Sequence, residues 1–383
     1  MTRAQLFLFM TEGMSLASWR ESGMLDRELA LYKRLAPQLV GVVIVSYGGR
    51  EELGICRDLP GIEVICNRWG LPHGLYRRLL PLLVRRALRR PAVFKSNQVR
   101  GAELAQALAR RCGATFVARC GYLLSDFQGH AHGQGSPEQR AARQLEGRLF
   151  RGADHGIVTT AAMRDRLVGY GVEAGQLSVI PNYVDTRLFA PAEDAAPAGR
   201  RLVFIGRLEA QKNPLALVRA LRGLGVTLDV VGEGSLRAAL AGEAERCGVA
   251  LRLHGRLPHH ALPAIIRAGS LYVLPSLYEG HPKTLLEAMA CGAAVIGTRV
   301  PGIAEVICHG QTGWLCEPTE AGLRQAVTGL LADDALRAAL GRAARACVVA
   351  GYELDRVVAQ ELALYRRLLA GRAESVEGES CRG

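Results

Sequence analysis

The chain has 383 residues, 49% hydrophobic and 22% charged, with 44 Gly, 16 Pro and a formal charge of +12. That composition excludes a disordered or collagen-like chain, and the length allows two domains with cores of their own. Aromatic residues make up only 5%, too few for a single-strand nucleic-acid binder built on base stacking, so no nucleic-acid partner is expected. Residues 1–185 carry 25 Lys/Arg against 16 Asp/Glu, and the remainder 23 against 20. An excess held in one half suits an anionic partner there, although plain Arg enrichment would give the same numbers. The ten cysteines form no Cys-x-x-Cys pair and read as small buried hydrophobes of a reducing compartment.

Short apolar runs predict strands from end to end. In the first half they cover residues 4–10, 39–46, 62–66, 92–96, 114–118, 155–160 and 177–181. The first run is too short for a signal peptide, and no run approaches the length of a bilayer. A cytoplasmic protein is expected, open to peripheral contact with the inner face of a membrane. Helical patterns lie between the runs, as over 24–36 and 100–112. Near-continuous apolar strands alternating with helices imply parallel sheets covered on both faces.

The stretch 75–91 carries six Arg among Leu and Val. It reads either as a basic amphipathic contact for anionic lipid or a phosphorylated acceptor, or as a surface helix whose apolar side meets the sheet. Pro81 is expected to interrupt any long helix there.

Around 186–200 the chain loses periodicity and gains Ala, Pro and charge, as a linker does. The second half resumes with runs at 201–206, 228–232, 251–255, 271–275, 294–298 and 313–318. The expected fold is α/β: two facing, doubly wound Rossmann-like domains with a ligand cleft beyond the carboxyl ends of their strands. The domains fall at 1–185 and 201–350, joined by the linker at 186–200. A helix at 351–370 is expected to pack back toward the first domain, and a polar, disordered tail to fill 371–383.

Chemistry concentrates in residues 275–301, PSLYEGHPKTLLEAMACGAAVIGTRVP. A strand delivers the chain to a Glu-Gly turn, a helix follows, and Glu279 and Glu287 lie eight positions apart. Free N–H groups and the positive end of a helix suit phosphates, and carboxylates suit sugar hydroxyls. Side chains on a helix lean toward its N-terminus, so Glu287 should point back at what that end holds. Arg207 and Lys212 follow a strand as Gly-Arg-x4-Lys, and Gly232 and Gly234 follow another, where glycine permits close backbone approach. The chain contains no Asp-x-Asp. His130 and His132 lack Cys or carboxylate company, so no metal is expected. No strand is followed by Gly-x-Gly-x-x-Gly, which argues against a dinucleotide dehydrogenase.

Several motifs recur in order: IPNYVDTRLFAP, FIGRLEAQKNP, VVGEGSLRAAL, LHGRLP and YEGHPKTLLEAMACGAAVIGTRVPGIAEVICHGQTGWL. Over residues 178–370 the chain resembles the retaining glycosyltransferases of family 4, of the group 1 type, which have the GT-B fold. The resemblance implies a donor site without a cofactor, whose substrate is a nucleotide diphosphate sugar. In it Glu287 binds the ribose, Glu279 lies near the donor sugar, and Arg207 and Lys212 neutralise the leaving diphosphate. The backbone around Gly280, His281, Lys283, Thr284 and Leu285 cradles the diphosphate or sugar. Gly232 and Gly234 meet the nucleotide, and Arg256 and Leu257 hold the base through backbone atoms.

The first half departs from the family pattern. A single glycine, Gly13, stands where many members have a Gly-Gly pair that approaches the donor phosphates, and no His lies between His73 and His130. Asn97 and Arg119 are the candidates for the sugar and acceptor side, though an Arg at a strand end also serves as a structural ion pair. The implied activity is metal-independent transfer to a carbohydrate or lipid-linked glycan acceptor, in surface polysaccharide or glycolipid synthesis. A nucleotide-sugar epimerase of the same fold and a non-catalytic nucleotide-sugar-binding subunit are the alternatives.

Overall fold

The computed structural model describes residues 3–192 and 199–380, the last eight as backbone alone. The chain divides into two compact units, Met1–Pro181 with Val357–Gly383, and Asn182–Arg356.

The first unit alternates β1 (Gln5–Phe9), α1 (Leu16–Glu21), α2 (Leu25–Leu35), β2 (Gly41–Val45), α3 (Glu52–Cys56), β3 (Ile62–Ile65), α4 (His73–Ala87) and β4 (Ala92–Ser96). It continues through α5 (Ala102–Cys112), β5 (Thr115–Cys120), α6 (Leu124–His132), α7 (Pro137–Arg151), β6 (His155–Val158), α8 (Ala161–Gly169) and β7 (Leu177–Val179). The sheet is parallel, in the order β3-β2-β1-β4-β5-β6-β7. Strand direction of travel therefore reverses between β1 and β4, the switch point of a doubly wound sheet. Phe7, Phe94 and Phe116 lie in register and bury one face of it.

The second unit holds β8 (Arg201–Ile205), α9 (Pro214–Ala220), β9 (Thr227–Val231), α10 (Arg237–Cys247), β10 (Ala250–Gly255), α11 (Leu262–Ala268) and β11 (Leu271–Leu274). Then follow α12 (Lys283–Ala290), β12 (Val295–Thr298), α13 (Pro301–Ala304), β13 (Trp314–Cys316), α14 (Glu320–Leu331), α15 (Asp334–Gly351) and α16 (Leu354–Ser380). Its sheet runs β10-β9-β8-β11-β12-β13, with the switch point between β8 and β11. Alternate residues of β8 serve opposite faces: Leu202 and Phe204 join one core, Val203 and Ile205 the other. This two-sided burial is why these strands are apolar throughout. All thirteen strands fall on the apolar runs of the sequence, and the fold is the expected α/β pair of Rossmann-like sheets.

Three local expectations differ. Helix α4 runs straight through Pro81. The hydrogen bond lost there is offset by Tyr76, Leu80 and Val84, which the helix buries against the sheet. Within the expected linker, Phe189 is fully buried in the core of the second unit; residues 193–198 lie outside the described residues. The C-terminal helix does not stop at 370: its backbone stays helical to Ser380, and 381–383 lie outside the described residues. From Val357 onward α16 belongs to the first unit. There Glu361 binds Lys95 of β4 through both carboxylate oxygens, at 2.6 and 2.7 Å, with both side chains buried.

Candidate functional site

The candidate residues of the second unit collect at the carboxyl ends of its strands. Arg207 and Lys212 follow β8, Gly232 and Gly234 follow β9, Arg256 and Leu257 follow β10, and Glu279 follows β11. β8 and β11 are hydrogen-bonded neighbours, so the two cations and the first glutamate flank the switch point.

Lys212 Nζ and Glu279 Oε1 form an ion pair whose side chains are only 13% and 7% exposed. Ser276 Oγ donates to the same carboxylate oxygen at 2.6 Å. Arg207 is exposed and donates from Nη2 to Gln211 Oε1 at 3.1 Å. Gln211 in turn donates from Nε2 to the Tyr278 carbonyl at 2.9 Å and its own carbonyl accepts from the Leu277 N–H at 2.8 Å. The loop carrying the cations is thereby stitched to the loop carrying Glu279.

Glycine makes these loops fit. A Cβ on Gly232, whose φ is +136°, would overlap the Gly206 carbonyl, and one on Gly234 would overlap the backbone of Leu208. A Cβ on Gly302, at the start of α13, would overlap the Gly280 carbonyl. Gly13 of the first unit has a φ of +78°, but a Cβ there would meet nothing within 4 Å. Its requirement is conformational, not one of close packing.

Helix α12 begins at Lys283 behind Pro282, which has no side-chain acceptor and leaves that end without a side-chain cap. Helices α8, α14 and α15 are capped by Thr160, Thr319 and Asp333. An end left in that state, with its dipole intact, suits an anionic group. The Lys283 ammonium lies 5.2 Å from the centre of the Tyr183 ring, a cation–π arrangement. The His281 carbonyl accepts from Asn182 Nδ2 at 2.7 Å. Thr284 is half-buried, while Leu285 is a core side chain that offers only its backbone. Arg256 is exposed, and Leu257 packs against the core. Glu287 is 2% exposed and bound by His259 Nε2 at 2.9 Å.

Asn97 and Arg119 belong to the other unit, Asn97 just after β4 at its switch point and Arg119 near the end of the adjacent β5. Asn97 follows β4 and donates from Nδ2 to Thr11 Oγ1 at 3.3 Å, beside the turn that carries Gly13. Arg119 Nη1 donates to the Asn97 carbonyl at 3.1 Å. His130 and His132 fall in the last turn of α6; among the described residues no group of three or more His, Cys, Asp or Glu is arranged to hold a metal ion. No helix among them is long and apolar enough to cross a membrane.

Sequence reasoning missed Ser276, Gln211, Asn182, His259 and Gly302. Only His259 and Gly302 carried a visible signal, a His-His pair after LHGRLP and a glycine directly after Pro301.

Two doubly wound Rossmann-like sheets, with cations and carboxylates gathered at the switch point of the second, define a GT-B transferase architecture. The chain belongs to the group 1 glycosyl transferases: residues 189–346 match "Glycosyl transferases group 1" and residues 22–183 the "Glycosyl transferase 4-like domain". Glycogen synthase of Mycobacterium tuberculosis is 32% identical over 245 residues, 61% of this chain but only 59% of that protein. D-inositol 3-phosphate glycosyltransferase of Acidothermus cellulolyticus is 28% identical over 376 residues, 90% of this chain and 80% of that one. Among solved structures, sucrose-phosphate synthase of Thermosynechococcus elongatus superposes with a TM-score of 0.79 at 21% identity, covering 96% of this chain and all of that one. HepE of Anabaena, in complex with UDP and glucose, gives 0.77 at 17% identity over 95% of this chain and all of that one. At these identities the structures establish the fold.

Proposed function

We propose that the chain is a retaining, metal-independent glycosyltransferase. It moves a sugar from a nucleoside diphosphate sugar to a hydroxyl of a carbohydrate or lipid-linked glycan, in surface polysaccharide or glycolipid synthesis. The observation that carries this reading is the pairing of Lys212 with Glu279 beside Arg207 at the switch point. The UDP and glucose bound by HepE, which shares the fold, support a nucleotide-sugar donor.

In the reaction the bond between the sugar C1 and the diphosphate oxygen breaks, and its electron pair stays on that oxygen. Positive charge must wait where this anion develops. Arg207 supplies a guanidinium suited to two phosphate oxygens at once. Lys212 supplies an ammonium whose position Glu279 fixes while two of its three N–H donors remain for oxygens of the donor. The acceptor oxygen bonds to C1 from the face the diphosphate leaves, and its proton passes to the departing phosphate oxygen. The chain has no Asp-x-Asp, and these two cations take the charge-balancing part that a divalent ion plays elsewhere. The N–H groups at the start of α12, Gly232 and Gly234, and the backbone at Arg256 and Leu257 complete the nucleotide-sugar contacts. Gly13 is assigned to the donor phosphates, and Asn97 and Arg119 to the sugar and acceptor side.

Transfer and donor hydrolysis measured with UDP-, GDP- and ADP-sugars test this reading. Arg207→Ala should lose about 100-fold or more in turnover, chelator should leave the wild type unchanged, and proton NMR should find the donor's anomeric configuration in the product. Full turnover by Arg207→Ala would sink the mechanism.

Peripheral membrane contact through α4 belongs to the same proposal. Leu75 and Leu82 remain about half exposed on it beside Arg78, Arg85 and Arg86. Co-sedimentation with anionic but not neutral vesicles at low salt is the expected result.

A further inference from the structure

We infer that His259 is a positioning residue which aims Glu287 at the ribose and so sets how strongly the chain prefers a ribonucleotide. This inference rests on the donor-site reading above. Glu287 sits in the second turn of α12 with its side chain 2% exposed. A carboxylate has no proton to give, so the 2.9 Å contact is a donation from His259 Nε2–H to Glu287 Oε1. The terminal torsion of a glutamate is broad and weakly restrained by itself. A fixed donor on one oxygen selects the orientation in which the carboxylate can accept from sugar hydroxyls.

The imidazole is itself held. Its ring lies 5.0 Å from that of Phe189, which is fully buried. Arg345 Nη1 donates to the Phe189 carbonyl at 2.7 Å and to the Ala290 carbonyl, at the end of α12, at 2.8 Å. Helix α12, the segment around Phe189 and the His259 turn therefore form one frame. That turn is also the continuation of Arg256 and Leu257, the proposed base contacts. One loop would thus meet the base directly and the ribose through Glu287, which couples the two halves of nucleoside recognition.

The test is ribose discrimination, read as the ratio of calorimetric Kd values for UDP and 2′-deoxy-UDP, for GDP and 2′-deoxy-GDP, and for ADP and 2′-deoxy-ADP, with the full chain. Wild type should prefer the ribonucleotide by about tenfold or more, the worth of one well-made hydrogen bond to a charged group. Glu287→Gln should abolish most of the preference. His259→Phe keeps a ring against Phe189 but has no donor; it should lower Tm, because a buried carboxylate loses its donor, and, measured where the variant is folded, it should lose the preference to a similar extent. His259→Gln can offer an amide N–H near the Nε2 position and should recover part of it. His259→Phe combined with Glu287→Gln should be no worse than Glu287→Gln alone. A wild type that binds none of these nucleotides, or binds each pair equally, overturns the donor-site reading and this inference with it. A wild-type preference that Glu287→Gln abolishes and folded His259→Phe retains overturns this inference alone.

Discussion

Lys212 and Glu279 leave neighbouring strands 67 positions apart in sequence and close an ion pair at the switch point of the second sheet. Removing the lysine leaves a largely buried carboxylate whose remaining hydrogen-bond partner among the described residues is the Ser276 hydroxyl. A buried pair broken on one side costs about 3–5 kcal/mol. Lys212→Met should therefore lower the urea midpoint clearly, at unchanged m. Lys212→Met combined with Glu279→Gln should recover much of the loss, because the uncompensated charge is gone. Equal midpoints for the single and double variants would show the pair to be energetically silent.

Gly302 presents a different kind of constraint, since its missing Cβ lets α13 touch the Gly280 carbonyl directly. The overlapping atom belongs to backbone, so a methyl group there must push the Glu279–Gly280 turn aside. Gly302→Ala is expected to cost about 1–3 kcal/mol and to weaken UDP binding more than the stability loss explains. Gly329→Ala in α14 is the control: a Cβ there meets nothing within 4 Å, and a helical Gly→Ala change should be neutral or stabilising. Thermal unfolding and nucleotide titration of the two variants side by side decide the matter.

The central strands were legible because a strand buried on both faces cannot hide: it is a short continuous apolar run, as in β1, β8 and β11, while the edge strands β3 and β10 carry polar residues and are less buried. The candidate residue types were legible for a similar reason, since Arg207, Lys212 and Glu279 follow strand ends where charge has a use, and Glu287 lies on the helix that follows one of them. Their partnerships were not. Nothing in HGRLPHHALP says which histidine reaches α12, and the answer depends on a contact 28 positions away. Lys95 looks like one polar residue in the run AVFKS until Glu361, 266 positions on, neutralises it inside the first unit. Burial carries the Lys95 pKa down to about 8 against the opposing pull of that carboxylate. Composition misled at the chain's end, where Gly, Ser and Glu suggested a tail without structure and α16 continues to Ser380. It misled at Pro81 too, because local propensity yields to the apolar side that α4 buries.

Glu146 on α7 provides a prediction about pH. Its side chain is fully buried, Oε1 accepts from the Ser125 N–H at 3.2 Å at the start of α6, and Oε2 has no hydrogen-bond partner among the described residues. Burial pushes its pKa up to about 7, outweighing the hydrogen bonds from Ser125 and Leu124 that favour the anion. In the unfolded chain the group titrates near its ordinary value of 4.5. Between these values the folded chain keeps a proton that the unfolded chain has lost, so this group makes stability fall as pH rises through that window. The penalty is fully present above pH 7 and absent below pH 4.5; at about 1.4 kcal/mol per pKa unit it is on the order of 3 kcal/mol. Glu146→Gln keeps an acceptor for Ser125 and never ionises. It should be more stable than wild type at pH 8, with the difference shrinking steadily toward pH 4.5 in urea titrations at matched ionic strength. A stability difference that stays constant across that range would mean that Glu146 does not titrate between its folded and unfolded values as the buried position requires.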